Sequence, residues 1–160
     1  MKLIIQLCSV FIGCIAFSLV YKAKLKRLIF CGIGASCTWL VYALTSYVLT
    51  NFLIISMIAA AFATLFAEIF ARITKAPTTI YLIPCILPLV PGGSLYYATS
   101  ALVNGQEEQF ASFGQRTLYT SLGISIGIIV VSIGVFYFKQ WHLAQKTLIL
   151  KRKQQTPKTN

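Results

Sequence analysis

Acidic residues are nearly missing: Glu68, Glu107 and Glu108 are the only three among 160 residues, against fourteen lysines and arginines. With them goes any convincing pair of acids for catalysis. Histidine is almost as scarce, since His142 stands alone beside Trp141 with no cysteine or carboxylate near it in sequence, and no CxxC occurs anywhere. These gaps leave no metal-ligand set, no catalytic residues and no implied cofactor. The chain also lacks a GxxxxGK[ST] loop, and its polar connections are too short to hold a nucleotide-binding domain. An enzyme is therefore not expected. Charged residues of either sign make up only 11% of the chain, too few to clothe a soluble domain of this length.

What fills the chain instead is apolar. Hydrophobic residues reach 58% and the mean hydropathy is +0.79, which predicts a multi-pass membrane protein. A balance of +11 could serve nucleic acid if the basic residues shared one folded surface. They flank the apolar runs instead, so anionic membrane lipids are the expected partners, and nucleic acid is not. Five cysteines (Cys8, Cys14, Cys31, Cys37 and Cys85) all lie within apolar segments and read as small packing residues. Near the N-terminus, Phe11 to Cys14 loosely imitate a lipoprotein cleavage site, but apolar residues continue through Val20. A retained first span is expected there.

Five segments are long enough to cross a bilayer, which takes about 20 apolar residues per helix. They are residues 3–21, 28–49, 51–73, 79–103 and 117–138, with a basic tail over 141–160. Charge sets the expected orientation. Lys22, Lys24, Lys26 and Arg27 follow the first span, and Lys139, Lys146, Lys151, Arg152, Lys153 and Lys158 follow the last. Both clusters belong in the cytoplasm, which requires an even number of crossings between them. Four spans satisfy this, with Arg72 and Lys75 also inside and the Asn51 turn and the Glu107–Glu108–Arg116 connection outside. The N-terminus is then out and the C-terminus in. Beyond Trp141 a short interfacial helix is expected to fray into a disordered end. A bundle of five helices is too small to enclose a pathway easily by itself, so a partner or self-association is expected.

The fourth span carries Pro84, Pro88 and Pro91 on one face, followed directly by Gly92 and Gly93. Each proline removes a backbone hydrogen bond and clashes with the preceding turn, and the Pro-Gly-Gly step predicts a true break near the bilayer midplane. A helix restarting near Ser94 presents free N–H groups and the positive end of its dipole, which suits a carboxylate. Pro88, Pro91, Gly92, Gly93, Ser94 and Tyr97 are the candidate substrate-binding residues, with Tyr96 and Thr99 as further hydroxyl donors. The other reading is a kink that only shapes packing.

Glu68 is the only acidic residue inside a span, which makes it a candidate for proton coupling. Arg72, four residues on, would equally form a plain intrahelical ion pair with it. Ala59, Ala63, Ala67 and Ala71 form a small-residue stripe, and Gly123 and Gly127 a GxxxG; both read as helix-packing faces. His142 reads as an interfacial anchor.

The stretch AEIFARITKAPTTIYLIPCILPLVPGGSLYYATSALVNG, residues 67–105, resembles the signature region of the threonine/serine exporter family. The match lies in Ala71-Arg72, then Pro77, then Pro88-Leu89-Val90-Pro91-Gly92 leading into a tyrosine-bearing half-helix. Length and layout are similar to the family's small, C-terminal-type module. The resemblance implies an all-α bundle acting with a larger membrane subunit to export small carboxylate-bearing metabolites, threonine and serine or succinate, on the proton gradient. A noncatalytic membrane scaffold is the competing expectation.

Overall fold

A computed structural model describes residues 2–20 and 25–155, which are helical apart from short turns, with no strand among the described residues. Lys22, Lys24 and Lys158 lie outside them, as do the side chains of Lys26, His142, Lys146, Lys151, Arg152 and Lys153. In chain order the helices are α1 (Lys2–Val20), α2 (Leu25–Val48), α3 (Phe52–Thr74), α4 (Thr79–Ile86), α5 (Gly92–Val103) and α6 (Glu107–Gln155), with a 3-10 turn at Leu87–Leu89 between α4 and α5. Four helices are long and apolar enough to cross a membrane, and five if the bent pair Thr79–Leu89 and Gly92–Val103 counts as one span. The protein is an all-helical, multi-pass membrane protein.

The ends of the helices follow from local chemistry. Asn51 caps α3, its side-chain oxygen accepting from the Leu53 N–H at 3.0 Å. At the other end Lys75 turns into the left-handed region (φ 50°), the Ala76 N–H reaches back to the Ala71 carbonyl at 2.9 Å, and Pro77 prevents continuation. Gly105 (φ 68°) closes α5 in the same way, with the Gln106 N–H on the Ala101 carbonyl at 2.9 Å.

α2 and α3 run in opposite directions. Phe30 of α2 lies tilted against Phe70 of α3, with ring centroids 5.0 Å apart, so the start of α2 meets the end of α3. On α6, Gly123 lies on the Leu53 carbonyl and Ser56, Gly127 on Met57 and Ala60, and Arg116 over the Phe52 ring at 4.5 Å. α3 and α6 therefore run parallel, as two spans separated by one complete return should. Arg72, Lys75 and Lys139 consequently share one end of the bundle, here called the basic end.

α3 is the central helix. One side, including Ala67 and Ala71, packs with Cys31 and Tyr81, while Ala59 and Ala60 pack with Leu89 and Ile124. Without a water-driven hydrophobic force between helices in lipid, such close contact of small residues supplies the association energy. Two glycines of α2 serve the same end. A methyl group at Gly34 would sit 2.6 Å from Cys85 Sγ and strike the Phe66 ring, and one at Gly32 would sit 2.8 Å from the Phe11 ring of α1.

α6 differs from expectation at both ends. It begins at Glu107, so Glu108 and Arg116 are helical, and the two glutamates occupy the first turn, where they oppose the dipole favourably. It then continues unbroken to Gln155, where a short interfacial helix was expected. The reason lies in composition: between Gly134 and Pro157 there is no glycine or proline to stop it. At about 1.5 Å per residue, its 49 residues run for about 73 Å, more than twice the thickness of a bilayer core.

Candidate functional site

The fourth span breaks where the prolines and glycines fall. α4 and the 3-10 turn end at Leu89, α5 starts at Gly92, and the two halves meet at 48°. About 16 Å of helix precedes the break and about 18 Å follows it, at 1.5 Å per residue. Leu89, buried against Ala59, Ala60 and Ile124, fixes the first half to the bundle.

Pro84 and Pro88 each take the donor from the carbonyl four residues before, and in both cases a cysteine from a neighbouring helix answers. Pro84 frees the Ile80 carbonyl, and Cys31 Sγ of α2 donates to it at 3.5 Å. Pro88 frees the Pro84 carbonyl, and Cys14 Sγ of α1 donates to it at 3.4 Å. These thiols are thus more than apolar packing residues: they supply the donors that proline removes where no water can. Nothing in the local sequence around either cysteine signals this. Only the pairing of α1 and α2 with α4 brings them together.

At the restart, Pro91 is the N-cap and offers no side-chain cap. The Gly92 N–H folds back on the Val90 carbonyl at 2.8 Å, and the first bond of the new helix runs from the Leu95 N–H to the Pro91 carbonyl at 3.0 Å. The Gly93 and Ser94 amides lie ahead of that ladder. Gly92 and Gly93 are exposed, with nothing within 4 Å of where a Cβ would stand, so the restart of the helix lies at the surface of the chain. Ser94 and Pro91 are half-buried, and Pro88 sits in a mainly apolar cleft of about 450 Å³ against α1. Tyr97, one turn beyond Gly93, is exposed and lies tilted against Phe113 of α6, ring centroids 5.4 Å apart. Tyr96 packs edge-on to Tyr97, while the Thr99 hydroxyl is engaged by its own helix at the Tyr96 carbonyl, 2.9 Å away. The break therefore gathers Pro91, Gly92, Gly93, Ser94 and Tyr97 around one helix N-terminus.

Glu68 and Arg72 lie elsewhere. Their side chains pair at 3.7 Å, and the Thr78 hydroxyl donates to the other carboxylate oxygen at 3.2 Å. Glu68 is eight residues beyond Ala60, which packs beside the break, and that separation is about 12 Å along α3. Thr78 was not singled out from sequence, because its contact depends on how α4 returns against α3. Next to it, Tyr81 is fully buried and donates to Thr74 Oγ1 at 2.9 Å. No group of residues able to hold a metal ion occurs among the described residues.

A polytopic helical bundle with one span broken at a proline-glycine step is an architecture that recurs among membrane transporters. The chain belongs to the threonine/serine exporter family: the family model described as threonine/serine exporter, ThrE, matches residues 6–133. No curated protein and no solved structure matches it.

Proposed function

We propose that this exporter-type protein is the small subunit of a two-component secondary exporter, and that its broken fourth span holds the carboxylate of the transported metabolite. The observation carrying this reading is the uncapped start of α5, where the Gly93 and Ser94 amides lie ahead of the helical ladder and Gly92 and Gly93 are exposed. In hydrocarbon, bare amides cost several kcal/mol each unless another group answers them. A carboxylate does so with two charge-assisted hydrogen bonds in the field of the helix dipole. The Ser94 and Tyr97 hydroxyls, on the same face, would complete its contacts.

The exposed position supports a second subunit, because a substrate there needs a far wall to keep lipid away. A larger membrane protein of the same family suits that role. Threonine and serine are the expected substrates, and a succinate-like dicarboxylate shares the same recognition chemistry. Alternating access would come from rocking of the two subunits about the break. Glu68, held by Arg72 and Thr78 at the basic end, is the proposed proton-coupling carboxylate. In this proposal the basic end is cytoplasmic and the N-terminus external.

The test is efflux of labelled threonine, serine and succinate from cells carrying this chain, the larger subunit, or both. Export of at least one substrate only when both are present supports the proposal. Unchanged efflux in every combination points instead to a noncatalytic scaffold.

A further inference from the structure

Two clefts meet at the basic end of the α3–α6 seam, both lined by Glu68, Arg72 and Val135. One, of about 350 Å³, is almost wholly apolar and continues between Leu65 and Ile69 on α3 and Val131, Gly134 and Phe138 on α6. The other, of about 360 Å³, is half polar and includes Thr78 and Lys139. An apolar trough thus adjoins a charged mouth across Glu68, Arg72 and Val135.

The charges in that mouth do not balance. Arg72 is 51% exposed and touches Glu68 through one nitrogen at 3.7 Å, leaving most of its five N–H donors available. Lys139 pairs with no carboxylate among the described residues. Glu68 is partly engaged by Thr78. Two cations therefore face one carboxylate. Their height is also telling: Arg72 is in the last turn of α3, and Lys139 is the first charge after the apolar run of α6. The trough descends from them by about two helical turns, roughly 10 Å, to Leu65.

We infer that this cleft is a binding site for an anionic phospholipid, independent of the transport reading. The phosphate lies between Arg72 and Lys139, and one acyl chain lies along Ile69, Val131, Gly134 and Phe138. Charge complementarity selects an anion, and the apolar trough beneath it selects a lipid over a free phosphate, which could use only the mouth.

The test uses the full chain purified in detergent, with native mass spectrometry of retained phosphatidylglycerol against phosphatidylcholine. One phosphatidylglycerol should be held preferentially, about fivefold more weakly for each cation removed in Arg72→Gln and Lys139→Gln. Gly134→Leu provides the independent check, because no atom lies within 4 Å of its Cβ position, so the side chain fills the trough without disturbing the fold. It should expel the lipid while Arg116→Gln, at the far end, leaves retention unchanged. Equal retention of the two lipids, no loss in Lys139→Gln and Gly134→Leu, or full displacement by inorganic phosphate would each overturn the inference.

Discussion

A proline within a membrane helix leaves a carbonyl without its donor, and hydrocarbon offers no replacement. At Ile80 and Pro84 the replacement is a thiol from another helix, Cys31 or Cys14. Serine in place of Cys14 should keep this bond, whereas valine should abolish it and expose a carbonyl at a cost of about 1 kcal/mol. Thermal unfolding in detergent checks the order: the valine variant should melt lower than both the serine variant and the parent. Equal melting of serine and valine variants would mean that the thiol only fills space. The same scale separates two kinds of glycine. Leucine at Gly123 or Gly127 must displace α3 backbone, a loss of about 3 kcal/mol or more, and size-exclusion chromatography should show aggregated protein. Leucine at Gly92 meets open space, so the folded peak should survive.

At the scale of elements, the fourth span was the most legible part of the sequence, because Pro-Gly-Gly breaks a helix for local reasons that neighbours cannot repair. The stripe on α3 and the GxxxG on α6 were equally readable as packing faces, since small residues at every fourth position have one common use in lipid. What could not be read was who faces whom. That Gly34 of α2 admits Phe66 and Cys85, or that Thr78 reaches Glu68, depends on the crossing of helices far apart in the chain. Nor did charge alone give the length of α6, whose continuation to Gln155 comes from an absence of breakers. The Glu68–Arg72–Thr78 cluster carries its own prediction. Glu68→Gln keeps a hydrogen-bond acceptor for Thr78 but removes the carboxylate. Substrate exchange should then persist while export loses its response to an imposed proton gradient. Full gradient-driven export by this variant would remove Glu68 from coupling.

For the whole molecule, the parallel packing of α3 and α6 gathers Arg72, Lys75 and Lys139 at one end, while Glu107, Glu108 and Arg116 lie at the other. The candidate site lies between those ends and on the surface, not in an interior cavity. That placement is the ground for the proposed second subunit, in which this chain would supply the N–H end and a partner the enclosure. The most direct measurement is efflux of labelled threonine and serine by cells carrying the larger subunit together with the Gly92→Leu chain, with membrane levels and melting temperature of the variant verified. Efflux should fall to that of cells lacking the chain, with stability unchanged. Parental efflux from a fully folded Gly92→Leu protein would contradict the proposal.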